Sequence, residues 1–433
     1  MKIIYIFRDS LLKNSIYLMA TSFITNIIGF FFWIIATRYY SPNDIGITSA
    51  IFSSVGLISM VGSLGLSRAL IYYLPRDKST DKIISSCLAI NIISSILFSM
   101  IFILGLKIWS PELLLTLNSM EKISIFIIIT IGMSISGIIG AAFIAGRRSS
   151  FQMVKEIIYH SIKIFPLIFF VNFGAMGILL SINIGLALSI ITGFILLSKV
   201  WEYSPRLKLD PIIKGMAKFS AGNYIADIFN NLPRMILPIM ILNVISAKSA
   251  GYFYIAIMMT SLLYGISQSI SSSFLVESYD KDKFWNNVNK SIKFNMILLI
   301  PGILLFMIFG RFVLNIFNTD YAENATVTMI ILSVTGIPLS LVNIFSTVRN
   351  AQNRVVSMIK MNVIVAIITL MLSIPLIRIM NIEGAAISYL IANIVGALIV
   401  INRIKNPKEF TLKLLNDIKK DVSYNLYQSK SMR

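Results

Sequence analysis

Charge is scarce in this chain. Asp, Glu, Lys and Arg make up 13% of its 433 residues, against 56% hydrophobic residues and a mean hydropathy of +0.82. Soluble domains carry about 25% charged residues, so an ordinary water-soluble protein is excluded. Histidine and cysteine are nearly missing too, with one of each, His160 and Cys87. No disulfide framework, no CxxC site for zinc or an iron–sulfur cluster and no histidine-built metal centre can follow. There is no GxxxxGK[ST] loop to cradle nucleotide phosphates, which argues against ATP hydrolysis by this chain. The gaps between apolar runs are too short for a soluble domain of even ~50 residues. Acidic residues are half as common as basic ones, 19 against 38, for a net charge of +19. A nucleic-acid binder gathers such charge on one soluble face. Here the bases sit in short gaps between apolar stretches, so no nucleic acid is expected.

What the chain does have is one long apolar run after another. A helix crosses ~30 Å of hydrocarbon with about 20 apolar residues. Twelve runs of that order lie at residues 15–37, 46–73, 83–106, 123–146, 151–171, 175–198, 215–245, 250–275, 291–313, 325–348, 359–378 and 384–403. The first is too long for a cleaved signal segment, and no small-residue cleavage site follows it. Alternate gaps hold 29 Lys and Arg on one side and 6 on the other, with Arg68, Lys163 and Arg234 inside runs. Basic residues stay cytoplasmic, so a multi-pass protein of the plasma or inner membrane with both termini in the cytoplasm is expected. Past the last run, Phe410, Leu414, Ile418 and Val422 alternate with Lys413, Lys419 and Lys420. That pattern fits a basic amphipathic helix on the anionic leaflet, or equally a solvated tail.

The sequence also repeats itself. Asp44-Ile45-Gly46-Ile47 corresponds to Ser249-Ala250-Gly251-Tyr252, and Asn26 to Asn231, at an offset of 205. Met153-Val154-Lys155 corresponds to Met358-Ile359-Lys360 at the same offset, and Gly177-Ile178-Leu179 to Gly384-Ala385-Ala386 at 207. The expected fold is an all-α polytopic membrane protein of about twelve transmembrane helices. They form two six-helix halves related by pseudo-two-fold symmetry about the membrane normal, an architecture of secondary transporters. The expected divisions are residues 1–200, a cytoplasmic linker 201–214, residues 215–404 and a tail 405–433.

Residues 11–75 carry the most distinctive text. A Lys-Asn-Ser start, a Gly-Phe-Phe span, Ala-x-Arg-Tyr-Tyr-Ser-Pro-x-Asp-Ile-Gly and then Gly-Leu-Ser-Arg-Ala-Leu before Leu-Pro follow in order. This resembles the polysaccharide biosynthesis flippases, the O-antigen and oligosaccharide-lipid translocases of the multidrug/oligosaccharidyl-lipid/polysaccharide exporter superfamily. The resemblance implies a V-shaped bundle that moves a polyprenyl-diphosphate-linked glycan outward by alternating access, with membrane lipids and the glycan-assembly machinery as its other partners. It implies a central cavity lined by spans one, two, seven and eight, which here hold Asn26, Arg68, Asp227, Arg234 and Gln268. It implies no enzyme activity and no cofactor beyond a coupling H⁺ or Na⁺.

Ionisable groups inside spans cost at least ~2.5–3.5 kcal/mol at the helix centre, so each asks for a purpose. Arg234 sits mid-span between Pro233 and Pro238. Its guanidinium suits a diphosphate, or it pairs with Asp227 or with carbonyls freed by the prolines to hold a kink. Asp227, seven residues earlier, is a candidate ion-coupling carboxylate with Asn223, Asn230 or Asn362 beside it; otherwise it forms a salt bridge to Arg234 or Lys163. Glu156, His160 and Lys163 share one stripe of span five, as an interhelical polar seam or, through His160, as a pH sensor. Arg68 either snorkels to headgroups or meets the diphosphate at an inward-facing mouth. Two other readings stand beside the flippase: a multidrug or cation exporter of the same superfamily, which needs carboxylates in its cavity, and a membrane glycan polymerase or ligase, which needs a large outer loop and a catalytic cluster. Asn324-Ala325-Thr326 forms a glycosylation sequon.

Overall fold

The computed structural model describes residues 10–77, 79–201, 203, 213–277, 284–352 and 354–404. The predicted tail helix and most of the 201–214 linker lie outside these. The described residues are helical, with no strand among them. The N-terminal half runs α1 (Ser10–Tyr39), α2 (Pro42–Gly62), α3 (Leu66–Tyr73), α4 (Thr80–Leu104), α5 (Leu106–Trp109), α6 (Pro111–Thr116), α7 (Met120–Ala145), α8 (Ser149–Ile162), α9 (Ile164–Phe169) and α10 (Ala175–Trp201). The C-terminal half runs α11 (Ile213–Val244), α12 (Ala247–Glu277), α13 (Phe284–Phe317), α14 (Thr319–Asn324), α15 (Thr326–Ala351) and α16 (Val355–Ile404).

Ten of these helices are long and apolar enough to cross a membrane. The last, α16, contains two of the sequence runs on either side of a kink at Met380 and Asn381, where φ is −124° and 51°. The fifth run is broken rather than continuous: α8, α9 and a 3₁₀ turn at Val171–Phe173 share it. The second run is broken as well, between α2 and α3, where Gly65 takes φ 73°. Local chemistry sets these limits. Ser41 and Asp44 form a reciprocal capping box at the start of α2, with Pro42 in its first turn, a combination that satisfies the orphan amides of a helix start. The second Asp44 oxygen accepts from the Ala175 amide at 3.0 Å, tying the start of α2 to the start of α10. Nearby, the Tyr40 hydroxyl donates to the Leu167 carbonyl at 2.7 Å. Burial, and secondarily Asp44, pushes that phenol up to about 12, so it keeps the donated proton at neutral pH.

The repeat seen in the sequence is also written in the backbone. Gly174 (φ 54°, ψ −136°) and Asn381 (φ 51°, ψ −135°) adopt one conformation 207 positions apart. Arg148 donates to the Phe143 carbonyl at 2.9 Å, and Arg354 to the Arg349 carbonyl at 2.8 Å, an identical tight turn 206 positions on. The halves meet along span two. At the charge-poor side of the membrane, α2 and α12 cross at Gly46 and Gly251. A Cβ on Gly46 would lie 1.6 Å from the Ala247 carbonyl oxygen, and one on Gly251 2.4 Å from that of Pro42. Those contacts exchange under the 205 offset, so the pseudo-two-fold axis passes between the two glycines. On the same side Asn243 bonds Ser110 at 2.9 Å, the Glu112 amide donates to Asn243 at 3.2 Å, and Thr37 donates to the Phe317 carbonyl at 3.2 Å.

Candidate functional site

The break between α2 and α3 places the first charged pair. Ending a helix mid-span frees carbonyls that hydrocarbon cannot satisfy. Here the Gly62 carbonyl accepts from Ser94 at 2.5 Å, and the Val61 carbonyl accepts from the Tyr224 hydroxyl of α11 at 2.5 Å. Gly65 packs against Ser220 and Tyr224, so close that a Cβ would sit 2.7 Å from the Ser220 hydroxyl. One turn later, Arg68 projects from α3 across the divide to Asp227 of α11, with Nη2 2.7 Å from Oδ1 and 2.6 Å from Oδ2. The sequence offered Arg234 or Lys163 as partners for Asp227; the partner is Arg68, brought there by the break. Both members are close to half exposed, 48% and 40%. Exposed pairs contribute under ~1 kcal/mol, so Arg68→Gln is expected to lower the melting free energy by about that much or less. A double-mutant cycle with Asp227→Asn checks the figure, and a coupling of several kcal/mol would contradict this placement.

Arg234 lies two turns further along α11. Its Nη2 donates to Asn231 Oδ1 at 2.8 Å, and Asn231 in turn donates to the Asp227 carbonyl at 2.9 Å. No carboxylate lies within 4 Å of it among the described residues. The guanidinium is therefore held in orientation by a neutral amide. Asn362, offered by the sequence as a neutral oxygen beside Asp227, instead accepts from Ser346 at 3.4 Å and donates to the Ala226 carbonyl at 2.9 Å. The Asn223 amide oxygen is buried without a partner. Gln268 is exposed on α12, away from the two cavities described next.

Span five contributes a second polar group, with one member the sequence misplaced. Lys155 counted there among the gap bases of the charge-rich side. In the fold it is fully buried inside α8, its Nζ bonded to Glu156 at 2.8 Å and to the Ser136 hydroxyl at 2.5 Å and carbonyl at 3.3 Å. Glu156 also accepts from Gln152 at 2.9 Å. The position near the start of the run hid Lys155, and its matching residue, Lys360, is exposed and gives no sign of the burial. Glu156 lines one cavity, of about 360 Å³, with Ser136, Gln152 and Tyr159. A second cavity, of about 300 Å³, opens between α1 and α12 and takes in Asn26, His160 and Lys163. The predicted stripe thus faces two cavities rather than one helix neighbour. No cluster of metal-binding side chains occurs among the described residues.

Comparison with known proteins gives concordant results. A family model described as polysaccharide biosynthesis protein matches residues 11–276, and one described as lipid II flippase MurJ matches residues 249–426. No curated protein sequence matches the chain. Among solved structures, lipid II flippase MurJ in an inward closed conformation superposes with TM-score 0.75 at 16% identity, covering 92% of this chain and 90% of that one. An inward-facing multidrug resistance MATE transporter of the MOP superfamily gives 0.71 at 14% identity, covering 89% and 96%. A MOP superfamily transporter from Pyrococcus furiosus, described as having a binding pocket of reversed polarity, gives 0.60 at 12%, covering 93% and 96%. At these identities the likeness is one of fold.

Proposed function

We propose, from the premise that this chain belongs to the polysaccharide biosynthesis protein family, that it is a flippase for a polyprenyl-diphosphate-linked oligosaccharide. The family and its structural relatives are membrane transporters, not enzymes. In this reading the cargo enters from the cytoplasmic leaflet, where the 29 basic gap residues and both termini lie, and leaves to the outer leaflet as the two halves, residues 1–200 and 215–404, alternate in access. An H⁺ or Na⁺ gradient drives the step, with Asp227 as the coupling carboxylate and Arg68 as the base that competes for it.

One observation carries the reading. Arg234 is a permanently charged guanidinium in the middle of span seven with no carboxylate within 4 Å among the described residues, oriented by Asn231 at 2.8 Å. Guanidinium binds phosphate oxygens in a two-pronged fork. A cation exporter would gain nothing from that charge, and the one mid-span carboxylate of α11 is already engaged by Arg68.

The test is translocation of a fluorescent polyprenyl-diphosphate oligosaccharide in proteoliposomes, run under a proton and a sodium gradient. Wild-type protein is expected to move the probe. Arg234→Ala is expected to reach the membrane folded and to lose transport by about 100-fold, the loss of a charge-assisted contact to the cargo. Normal transport by Arg234→Ala would remove Arg234 from the cargo path. Absence of wild-type movement under both gradients, together with efflux of organic cations, would replace the flippase with an exporter.

A further inference from the structure

Span five carries two lysines, Lys155 and Lys163, and one carboxylate, Glu156. Lys155 and Glu156 satisfy each other at 2.8 Å. Lys163, about two turns further along the same span, is 6% exposed and has no carboxylate within 4 Å among the described residues. Its ammonium lies instead over the rings of Phe32 at 4.4 Å and Tyr159 at 4.8 Å. A buried charge in a membrane helix without a counter-charge is costly and marks a site that something else completes. Rings alone offer it only part of what water would.

The surroundings say what completes it. Phe32 and Tyr159 are walls of the 300 Å³ cavity between α1 and α12, which also takes in Asn26, Trp33 and His160, and among the described residues no acidic one lines it. The Nδ1 of His160 is buried and has no hydrogen-bond partner. It faces Gly29, where the missing side chain leaves the cavity open to it, 3.9 Å from where a Cβ would be. A site with one unneutralised ammonium, one unpartnered imidazole nitrogen and one carboxamide, and with no acid, is complementary to an oxyanion. Its volume is at the small end for ligand pockets, ~300–1,000 Å³, which fits a charged head group and not a whole glycan.

We infer that this cavity is an anion seat in the N-terminal half, in which Lys163 supplies the charge and His160 and Asn26 the hydrogen bonds to a phosphate- or carboxylate-type group of the cargo. The inference rests on the flippase reading and extends it: Arg234 in one half and Lys163 in the other give an anionic cargo a charged contact on each side of the divide. The oxyanion comes either from the diphosphate linkage or from an acidic sugar, and the two sources are separable.

Trp33 stands in the cavity wall, 6% exposed and packed edge-to-face on Phe32 and Tyr254, so its fluorescence reports occupancy. The full chain in detergent micelles is titrated with farnesyl diphosphate, farnesol and glucuronate, and Trp33→Phe identifies the signal. Farnesyl diphosphate is expected to give a saturable change that farnesol does not. Lys163→Met is expected to raise its dissociation constant roughly tenfold or more, the value of a hydrogen bond to a charged group, while Lys163→Arg stays within a few-fold. Asn26→Asp serves as the second variant: Asn26 is exposed, so the change spares folding and sets a like charge against the anion, with a similar loss expected. A Lys163-dependent response to glucuronate alone would assign the anion to the sugar and support the seat. Equal binding by wild type and both variants, or no binding of either anion to wild type, overturns it. Failure of the flippase reading looks different: Lys163-dependent anion binding persists while proteoliposomes move no lipid-linked glycan.

Discussion

Leucine at position 46 is expected to reduce transport to background while the protein still reaches the membrane. The reason is geometric. Where α2 crosses α12, even a methyl group on Gly46 would stand 1.6 Å from the Ala247 carbonyl oxygen, 2.6 Å from its carbon and 2.9 Å from the Gly251 nitrogen. All three are backbone atoms at the start of a helix, and no flexible side chain is there to yield. Overfilling a packed contact costs about 1–3 kcal/mol when neighbours can adjust; here the adjustment open to them is separation of the two helices. The charge-poor end of the divide would then be wedged apart, together with the Asn243–Ser110 and Thr37–Phe317 hydrogen bonds beside it. Alternating access needs that end to close. Because Cys87 is the single native cysteine, a Cys87→Ser background carrying Ser110→Cys and Asn243→Cys reads the closure directly by cross-linking. Gly46→Leu should abolish the cross-link, and Gly251→Leu should do the same from the other half. Wild-type transport by Gly46→Leu would mean that the halves do not close on this crossing.

Removing Lys155 should produce the largest loss of stability among the polar groups. Its ammonium is fully buried and has all its hydrogen bonds within the fold, to Glu156 and twice to Ser136, while its own carbonyl accepts from Ser189 at 3.0 Å. It therefore fastens α8 to both α7 and α10. Breaking a buried pair by deleting one partner costs about 3–5 kcal/mol, because the survivor is left charged in a poor solvent. Glu156 keeps 23% exposure, which brings the expectation for Lys155→Met to roughly 3 kcal/mol. Adding Glu156→Gln to that variant should restore most of the loss, since neither charge then remains. Thermal melting of the three proteins in one detergent measures this. A single variant as stable as wild type, or a double variant worse than the single, would show that the pair does not hold the seam.

Hydropathy and charge alternation reveal the helical architecture because each rests on a property that a single residue carries. Long apolar runs need no partner to be recognised, and the 205–207 offset survives in Gly46 and Gly251 because both must pass backbone against backbone. The breaks were harder to see. Nothing in the second apolar run marks a break at Gly65, yet Gly65 adopts φ 73° and turns Arg68 toward the other half. The Arg68–Asp227 pair joins residues 159 apart, and nothing in a periodic pattern specifies which cation of three will reach a given carboxylate. Lys155 was assigned to a gap because a basic residue at the edge of an apolar run looks the same whether it snorkels outward or turns in. Span five itself holds Pro166 and is followed by the Gly174 turn, and its stripe of Glu156, His160 and Lys163 is visible as a stripe; that it borders two cavities is a property of α1, α7 and α12 as much as of its own helix.

The crossing at Gly46 and Gly251 is isologous: the same five-residue patch, Pro42 to Gly46 and Ala247 to Gly251, meets itself, as in a two-fold homodimer. Pro42 stands to Gly251 as Ala247 stands to Gly46. A six-helix unit of this kind already carries both sides of its own interface, so joining two copies end to end requires a linker and no new contact surface. It also means that the two glycines are not free to drift independently. A larger residue on either copy strikes the other's backbone, and no compensating reduction exists, because neither side has a side chain left to lose.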